Sequence, residues 1–270
     1  MPLRMYGKIH THMPHTDSIG ATEAQRAEFL SVVIPAYNEA QRIPPTIEKI
    51  SGFLRGRMGG FEILVVDDGS TDHTVTFVRR MIYKYPAVRI IQSERNMGKG
   101  HAVRSGVIEA KGELILITDA DLSTPIEEIR KLLGAIDGGA DFAIGSRALD
   151  TSEVMIRQPW YREFMGRTFN VLVRMLVIGG IRDTQCGFKL MRSEAARRVF
   201  GLSRIDGFAF DAEVLYIAKR LGYRIVEVPV MWLNSPSSRV SIAGASLAMF
   251  AELWMIRINA LLKRYAPPAA

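Results

Sequence analysis

Short apolar runs rich in β-branched residues recur through the first half of this chain, and each is followed by a stretch with helical spacing. The runs are Leu30–Ile34, Glu62–Val66, Val88–Ile91, Leu114–Thr118 and Phe142–Ile144. Apolar residues at successive positions, rather than at alternate ones, mark strands buried on both faces. Between the first two runs, Ile43, Ile47, Ile50 and Leu54 recur at spacings of three and four, which predicts a helix over 40–56. Further helices are read up to about Tyr85, with Thr71 or Asp72 as its cap, and over Lys99–Lys111. Pro125 suits the first turn of another. Strands alternating with helices predict an α/β fold whose central sheet is mostly parallel, Rossmann-like and flanked by helices.

After Arg147 the rhythm changes. Residues 154–182 interleave Arg157, Arg162, Arg167, Arg174 and Arg182 with Trp160, Phe164, Phe169, Leu172 and Leu176, a basic amphipathic segment suited to an interface. Residues 183–192 read as a strand returning to the sheet, 209–221 as a helix, 224–228 as a strand and 234–238 as a loop. A mostly apolar helix over 242–264 ends in Lys263-Arg264. The organisation expected is a flexible leader over 1–28, one α/β domain over 29–235, and a loop plus apolar helix over 236–270. His10, His12 and His15 in the leader are read as solvated tail residues.

Composition narrows the partners. A net charge of +7 suits anionic ligands or surfaces. The arginines sit among aliphatic residues and no nucleic-acid-binding motif occurs, so nucleic acid is not an expected partner. The single cysteine, Cys186, excludes an internal disulfide and a cysteine-based zinc site. The longest apolar stretch, Val240–Ile258, carries Glu252 and Arg257, so no membrane span is expected. The expected location is cytoplasmic, peripheral on the cytoplasmic face of a membrane. The apolar terminal helix is also compatible with a homo-oligomer.

In parallel sheets covered on both faces, ligands bind beyond the carboxyl ends of the strands. Polar clusters stand at four such ends: Tyr37-Asn38-Glu39, Asp67-Asp68, Arg95-Asn96 and Asp119-Ala120-Asp121. Two carboxylates as close as Asp119 and Asp121 repel unless a cation sits between them. A hard cation such as Mg2+ or Mn2+ takes carboxylate oxygens and bridges phosphates. Taken alone, the pair also fits a solvated turn, and Gly98-Lys99-Gly100 also fits a plain helix-initiating turn.

Taken in order, Val32-Val33-Ile34-Pro35-Ala36-Tyr37-Asn38-Glu39, Val65-Val66-Asp67-Asp68-Gly69-Ser70-Thr71-Asp72, Asn96-Met97-Gly98-Lys99-Gly100 and Asp119-Ala120-Asp121 resemble the family 2 inverting glycosyltransferases of the GT-A fold. The resemblance spans about residues 29–235. It implies that Pro35, Tyr37 and Glu39 surround the nucleoside of a nucleotide-sugar donor and that Asp68 meets its base or ribose. Lys99 would stand where glycines 98 and 100 let backbone approach the nucleotide. Asp119 and Asp121 would contact donor and metal, with Mg2+ or Mn2+ as cofactor.

Within that family, Arg95–Arg104, Ile144-Gly145-Ser146-Arg147 and Asp183-Thr184-Gln185-Cys186-Gly187-Phe188-Lys189 resemble the polyprenyl-phosphate hexose synthases, and the dolichyl-phosphate glucose enzymes more than the mannose ones. Ser123 stands where mannose-type enzymes often carry a glutamine metal ligand. The resemblance implies UDP-glucose as donor and a polyprenyl phosphate lipid as acceptor. Arg147, Arg162, Arg167 and Arg239 are the candidate acceptor-phosphate ligands, since a guanidinium fork matches phosphate. Asp211, with Glu213 beside it, is the candidate base if the acceptor were instead a sugar hydroxyl; otherwise Asp211 orients the arginines or shapes the sugar pocket. The alternatives are GDP-mannose as donor, a hydroxyl acceptor, or a nucleotide-sugar binder without catalysis, and the intact Asp pair argues against the last.

Overall fold

The computed structural model describes residues 26–154, 168, 170–233 and 242–266. Arg162, Arg167 and Arg239 lie outside the described residues, as do His10, His12, His15 and the loop read at 234–238.

The strands are β1 (Arg26–Ala36), β2 (Met58–Asp67), β3 (Val88–Gln92), β4 (Leu114–Ile117), β5 (Phe142–Ser146), β6 (Glu153–Val154), β7 (Lys189–Arg192), β8 (Ile225–Pro229) and β9 (Met231–Trp232). The helices are α1 (Ile43–Leu54), α2 (Thr74–Lys84), α3 (Lys99–Glu109), α4 (Ile129–Asp137), α5 (170–176), α6 (Ser193–Leu202), α7 (Phe210–Arg220) and α8 (Ile242–Leu261). Seven strands form one sheet in the order β3-β2-β1-β4-β7-β5-β8, and β6 pairs with β9 in a small second sheet. All neighbours in the large sheet are parallel except β7, which runs antiparallel to both β4 and β5.

Successive side chains along a strand point to opposite faces. Val32, Ile34, Ile63, Val65, Leu116 and Ala143 therefore face one core, closed by α1 and α4 through Ile43, Ile47, Ile50, Leu132 and Ile136. Val33, Leu64, Val66, Ile115, Ile117 and Ile144 face the other, closed by α3, α6, α7 and α8 through Val103, Val199, Leu215, Leu253 and Ile256. Helices on both faces explain why these strands read as continuous apolar runs.

Several boundaries differ from the sequence reading. The first strand starts at Arg26, inside the stretch read as leader, where the Arg26 guanidinium bridges Asp137 (2.8 Å) and Glu28 (2.8 Å). Helix α2 begins at Thr74, and Asp72 reaches it by accepting from Thr74 N (2.9 Å). Of 183–192 only Lys189–Arg192 is strand. Helix α6, whose buried Ala195, Ala196, Val199 and Phe200 recur at helical spacing, and the β6–β9 pair have no counterpart in the sequence reading. Among the described residues no helix is long and apolar enough to cross a membrane.

Candidate active site

The parallel strands deliver their carboxyl ends to one edge of the sheet, and the loops there are tied together by side chains. After β1, Asn38 takes a left-handed backbone (φ 57°). Its Oδ1 accepts from Thr71 N (2.8 Å) and Asp72 N (3.2 Å), and its own N–H donates to Ser70 Oγ (2.8 Å). Pro35 ends the buried run, Tyr37 is 44% exposed beside it, and Glu39 is held by Arg42 Nε at 2.5 Å. After β2, both oxygens of Asp68 are engaged: they accept from Met97 N (2.9 Å) and Gly98 N (2.8 Å). Asp68 thus fastens the β2 end to the start of α3. Its neighbour Asp67 is buried, accepts from Ser70 N (3.2 Å) through Oδ2, and leaves Oδ1 without a partner among the described residues. An orphaned buried carboxylate oxygen is costly unless a ligand donates to it. Asp67, rather than Asp68, is therefore the acid left with an unpartnered oxygen at this edge.

The glycines around Lys99 have a packing reason besides the one read in sequence. Gly98 has φ +108°, and a Cβ there would collide with the Asp206 carbonyl; a Cβ on Gly100 would collide with that of Ile205. They make room for the 203–209 loop.

At the end of β4, Lys99 Nζ donates to Asp119 Oδ1 (2.7 Å). Burial works to raise the Asp119 pKa, but Lys99 outweighs it, with Lys189 and Arg147 adding to the effect, and the carboxyl sits below its ordinary value. Burial likewise works to lower Lys99, and Asp119 and then Asp211 hold it above its ordinary value. A Cβ on Gly187 would fall on the Asp119 carboxylate, so only glycine fits beneath it. Asp121 Oδ1 accepts from Ser123 N (3.0 Å) and Ser123 Oγ (2.9 Å), while Arg42 Nη1 stands 3.7 Å from Oδ2.

Because β7 is antiparallel, its first residue lies at the edge where the parallel strands end: Lys189 is level with Ile117 and Ile144. Its buried Nζ donates to Asp211 Oδ1 and to the Cys186 carbonyl, both at 2.5 Å. Burial pushes the Asp211 carboxyl up from its ordinary value, and Lys189 and Lys99 offset only part of that. Lys189 thereby anchors both Asp211 and the turn that carries Gly187 under Asp119.

Arg147, just past β5, makes a fork to Asp183: Nε to Oδ2 (2.7 Å), Nη2 to Oδ1 (2.9 Å), and backbone N to Oδ2 (3.0 Å). The guanidinium lies 5.6 Å from the Trp232 ring centroid. Asp183 is held in turn through its N–H by Glu227 Oε1 (3.0 Å). Burial works to raise the Asp183 carboxyl, but Arg147 outweighs it and the net direction is down. A carboxyl depressed on folding stabilises the fold above its unfolded value, about 3.9, and loses that contribution as pH falls through the depressed folded value. Urea unfolding followed from pH 6 downward should therefore show a steeper loss of stability in the wild type than in Asp183→Asn. Equal slopes would remove Asp183 from the acid-sensitive groups.

The family model described as glycosyl transferase family 2 matches residues 31–200, the segment that carries every strand-end cluster above. The chain belongs to glycosyltransferase family 2. Among its relatives, the mouse dolichyl-phosphate beta-glucosyltransferase is 39% identical over 245 residues, 86% of this chain and 76% of that protein. The yeast protein of the same name is 36% identical over 255 residues, 88% of this chain and 76% of that one. The fold is also that of Mycobacterium tuberculosis glucosyl-3-phosphoglycerate synthase, solved with Mn2+, uridine diphosphate and glucosyl-3-phosphoglycerate. That match has a TM-score of 0.63 and 23% identity, and covers 96% of this chain and 88% of that one. The architecture is thus the GT-A fold.

This glycosyltransferase brings Lys99, Asp119, Asp121, Arg147 and Asp211 into one electrostatic neighbourhood. Sequence reasoning passed over Asp67, Arg42, Asp183 and Lys189 as site residues. Asp183 and Lys189 stand inside 183–192, read as a returning strand and for its resemblance, and their partners Arg147 and Asp211, 36 and 22 positions away, leave no local signal.

Proposed function

We propose that this protein transfers glucose, with inversion, from UDP-glucose to a polyprenyl phosphate such as dolichyl or undecaprenyl phosphate, giving polyprenyl-phosphate-β-glucose and UDP. The observation that carries the acceptor is the Lys189–Asp211 pair. Asp211, the acid a hydroxyl acceptor would need as base, is buried on an ammonium instead. A phosphate monoester with its second pKa near about 6 is largely a dianion at neutral pH and attacks without a base. It needs cations, and Arg147 offers the N–H groups not spent on Asp183. Arg162, Arg167 and Arg239 are proposed to complete that cation set. The names of the relatives support glucose and the lipid phosphate.

On the donor side, Asp67 is proposed to accept from the nucleobase, with Pro35, Tyr37 and Glu39 around the nucleoside and Asp68 fixing the loop that carries Lys99. Lys99 and Asp119 would bind the diphosphate and the sugar or ribose end of the donor. A divalent cation, Mg2+ or Mn2+, fits here. Among the described residues no cluster of three or more His, Cys, Asp or Glu side chains forms a closed metal cage. Asp121, with Asp119 beside it, offers the one or two carboxylates that such an ion combines with phosphate oxygens and water. Bound there, it would neutralise charge on the leaving diphosphate.

The long acceptor tail stays in a bilayer, so the enzyme is proposed to work peripherally on the cytoplasmic face of a membrane, with α8 toward the lipid. Incubation with polyprenyl phosphate and a panel of labelled nucleotide sugars should yield one lipid-linked glucose product, from UDP-glucose, and chelation of divalent cations should abolish it. A mannolipid from GDP-mannose would sink the sugar assignment. Transfer to a sugar hydroxyl alone would sink the acceptor.

A further inference from the structure

The first turn of α3, which carries Lys99, is held by a loop with no regular structure of its own. Within 203–209, the Asp206 carbonyl accepts from His101 N (3.2 Å), the Asp206 carboxylate pairs with Arg104, and Gly98 and Gly100 admit the loop backbone closely. Two acids order this loop from behind. Glu213, fully buried on α7, accepts from Arg204 N (3.0 Å), Ile205 N (2.9 Å) and Tyr265 Oη (2.6 Å). Glu252, on α8, accepts from Ala209 N (2.9 Å), and its carboxylate fills the space a Cβ on Gly207 would need. Tyr265 follows α8 directly and is also met by Asn259 Nδ2 of that helix (3.3 Å). Glu252 lies on α8, and Glu213 is met by Tyr265 just past its end, so both supports touch the α8 segment.

The same helix turns an apolar face outward. Phe250, Trp254, Met255, Ile258, Leu261 and Leu262 are 39–77% exposed, while Leu253 and Ile256 on the opposite side are fully buried. The basic side chains Arg257, Lys263 and Arg264 are exposed beside that face. An apolar stripe edged with cations matches an anionic lipid surface better than a second copy of an equally basic chain.

We propose that α8 is a lipid-responsive strap: seating its outer face on an anionic bilayer steadies Glu252 and Tyr265, which fix the 203–209 loop and so set Lys99 against Asp119. The proposal rests on the reading of the protein as a membrane-surface glycosyltransferase, and it makes Glu252 and Tyr265 positioning residues. Lipid then does more than concentrate the acceptor: it raises donor affinity and turnover even when the acceptor phosphate is soluble.

The test uses the full chain, UDP-glucose, a short water-soluble isoprenyl phosphate, and vesicles of phosphatidylcholine with phosphatidylserine that contain no polyprenyl phosphate. Vesicles should raise wild-type UDP-glucose affinity and kcat several-fold. Trp254→Ser with Ile258→Ser should keep the vesicle-free activity and lose both the stimulation and co-sedimentation. Glu252→Ala should still sediment with vesicles yet show no stimulation, and Glu252→Gln, which keeps an acceptor for Ala209 N, should restore most of it. Stimulation in Glu252→Ala equal to wild type, no wild-type stimulation, or a stable dimer that covers this face without lipid would each overturn the proposal. Tighter UDP-glucose binding on vesicles with no transfer to any phosphate would uphold the strap and refute the acceptor reading.

Discussion

Asp121→Ala is expected to lower glycosyl transfer about a thousandfold, a loss of about 4 kcal/mol in transition-state stabilisation. Asp121 sits at the carboxyl edge of the sheet with one oxygen on Ser123 and the other facing Arg42 across 3.7 Å. Its side chain is 19% exposed, so its removal leaves Ser123 and Arg42 able to reach water, and the fold should stand. What disappears is the carboxylate proposed to draw a divalent cation to the diphosphate, whose charge grows as the glycosidic bond breaks. The half-saturating metal concentration should rise along with the loss of kcat, while the urea midpoint stays within error of wild type. Raising Mn2+ should recover part of the rate. A variant with wild-type metal dependence and a wild-type rate would show that Asp121 does not hold the ion.

The same residue shows what sequence can and cannot disclose. Asp119 and Asp121 were legible because a run of buried aliphatic residues, Leu114–Ile117, leads straight to them, and strand polarity decides which edge they reach. Asn38 and Asp68 were legible as polar residues at strand ends, but their work was not. Asn38 bonds to residues 33 and 34 positions later, and Asp68 to backbone about 30 positions later, and such distant partners carry no local signature. Asp67 was overlooked for the same reason. It becomes the exposed need of the site only once Asp68 is seen to be satisfied.

Lys189 is the clearest instance. A lysine in an apolar strand reads as an edge residue, since an isolated buried ammonium is very costly. The sheet order β4-β7-β5 places it in the interior, and its cost is met by Asp211, 22 residues away, and by the Cys186 carbonyl. The antiparallel insertion of β7 is a topological fact that periodicity does not encode. It also makes Asp211 one half of an ion pair, where the sequence left it either a base for a hydroxyl acceptor or an orienting acid. The apolar character of α8 was legible from composition alone, whereas its grip on the 203–209 loop through Glu252 was not, because the partner, Ala209 N, lies 43 residues earlier.

Arg147→Lys is the second large effect, and it separates acceptor chemistry from donor chemistry. Arg147 spends Nε–H and one Nη2–H on the two oxygens of Asp183, which is almost wholly buried, and keeps three N–H groups for another anion. A lysine has three donors at a single point and cannot span both Asp183 oxygens while facing a phosphate. It would either leave a buried carboxylate oxygen short of a partner or leave the acceptor short of a cation. A hydrogen bond to a charged group is worth about 1.5–3 kcal/mol, so a loss in the upper half of that range gives roughly a fortyfold to 150-fold fall in kcat/KM for the polyprenyl phosphate. On the proposed division of roles the fork faces the acceptor, so the affinity for UDP-glucose and its slow hydrolysis in the absence of acceptor should change less than threefold. The Trp232 ring beside the guanidinium supports either cation, which argues against simple unfolding as the cause. If kcat/KM fell equally for donor and acceptor, Arg147 would belong to the diphosphate site. If it fell for neither, the lipid phosphate would have to be held by arginines other than this one.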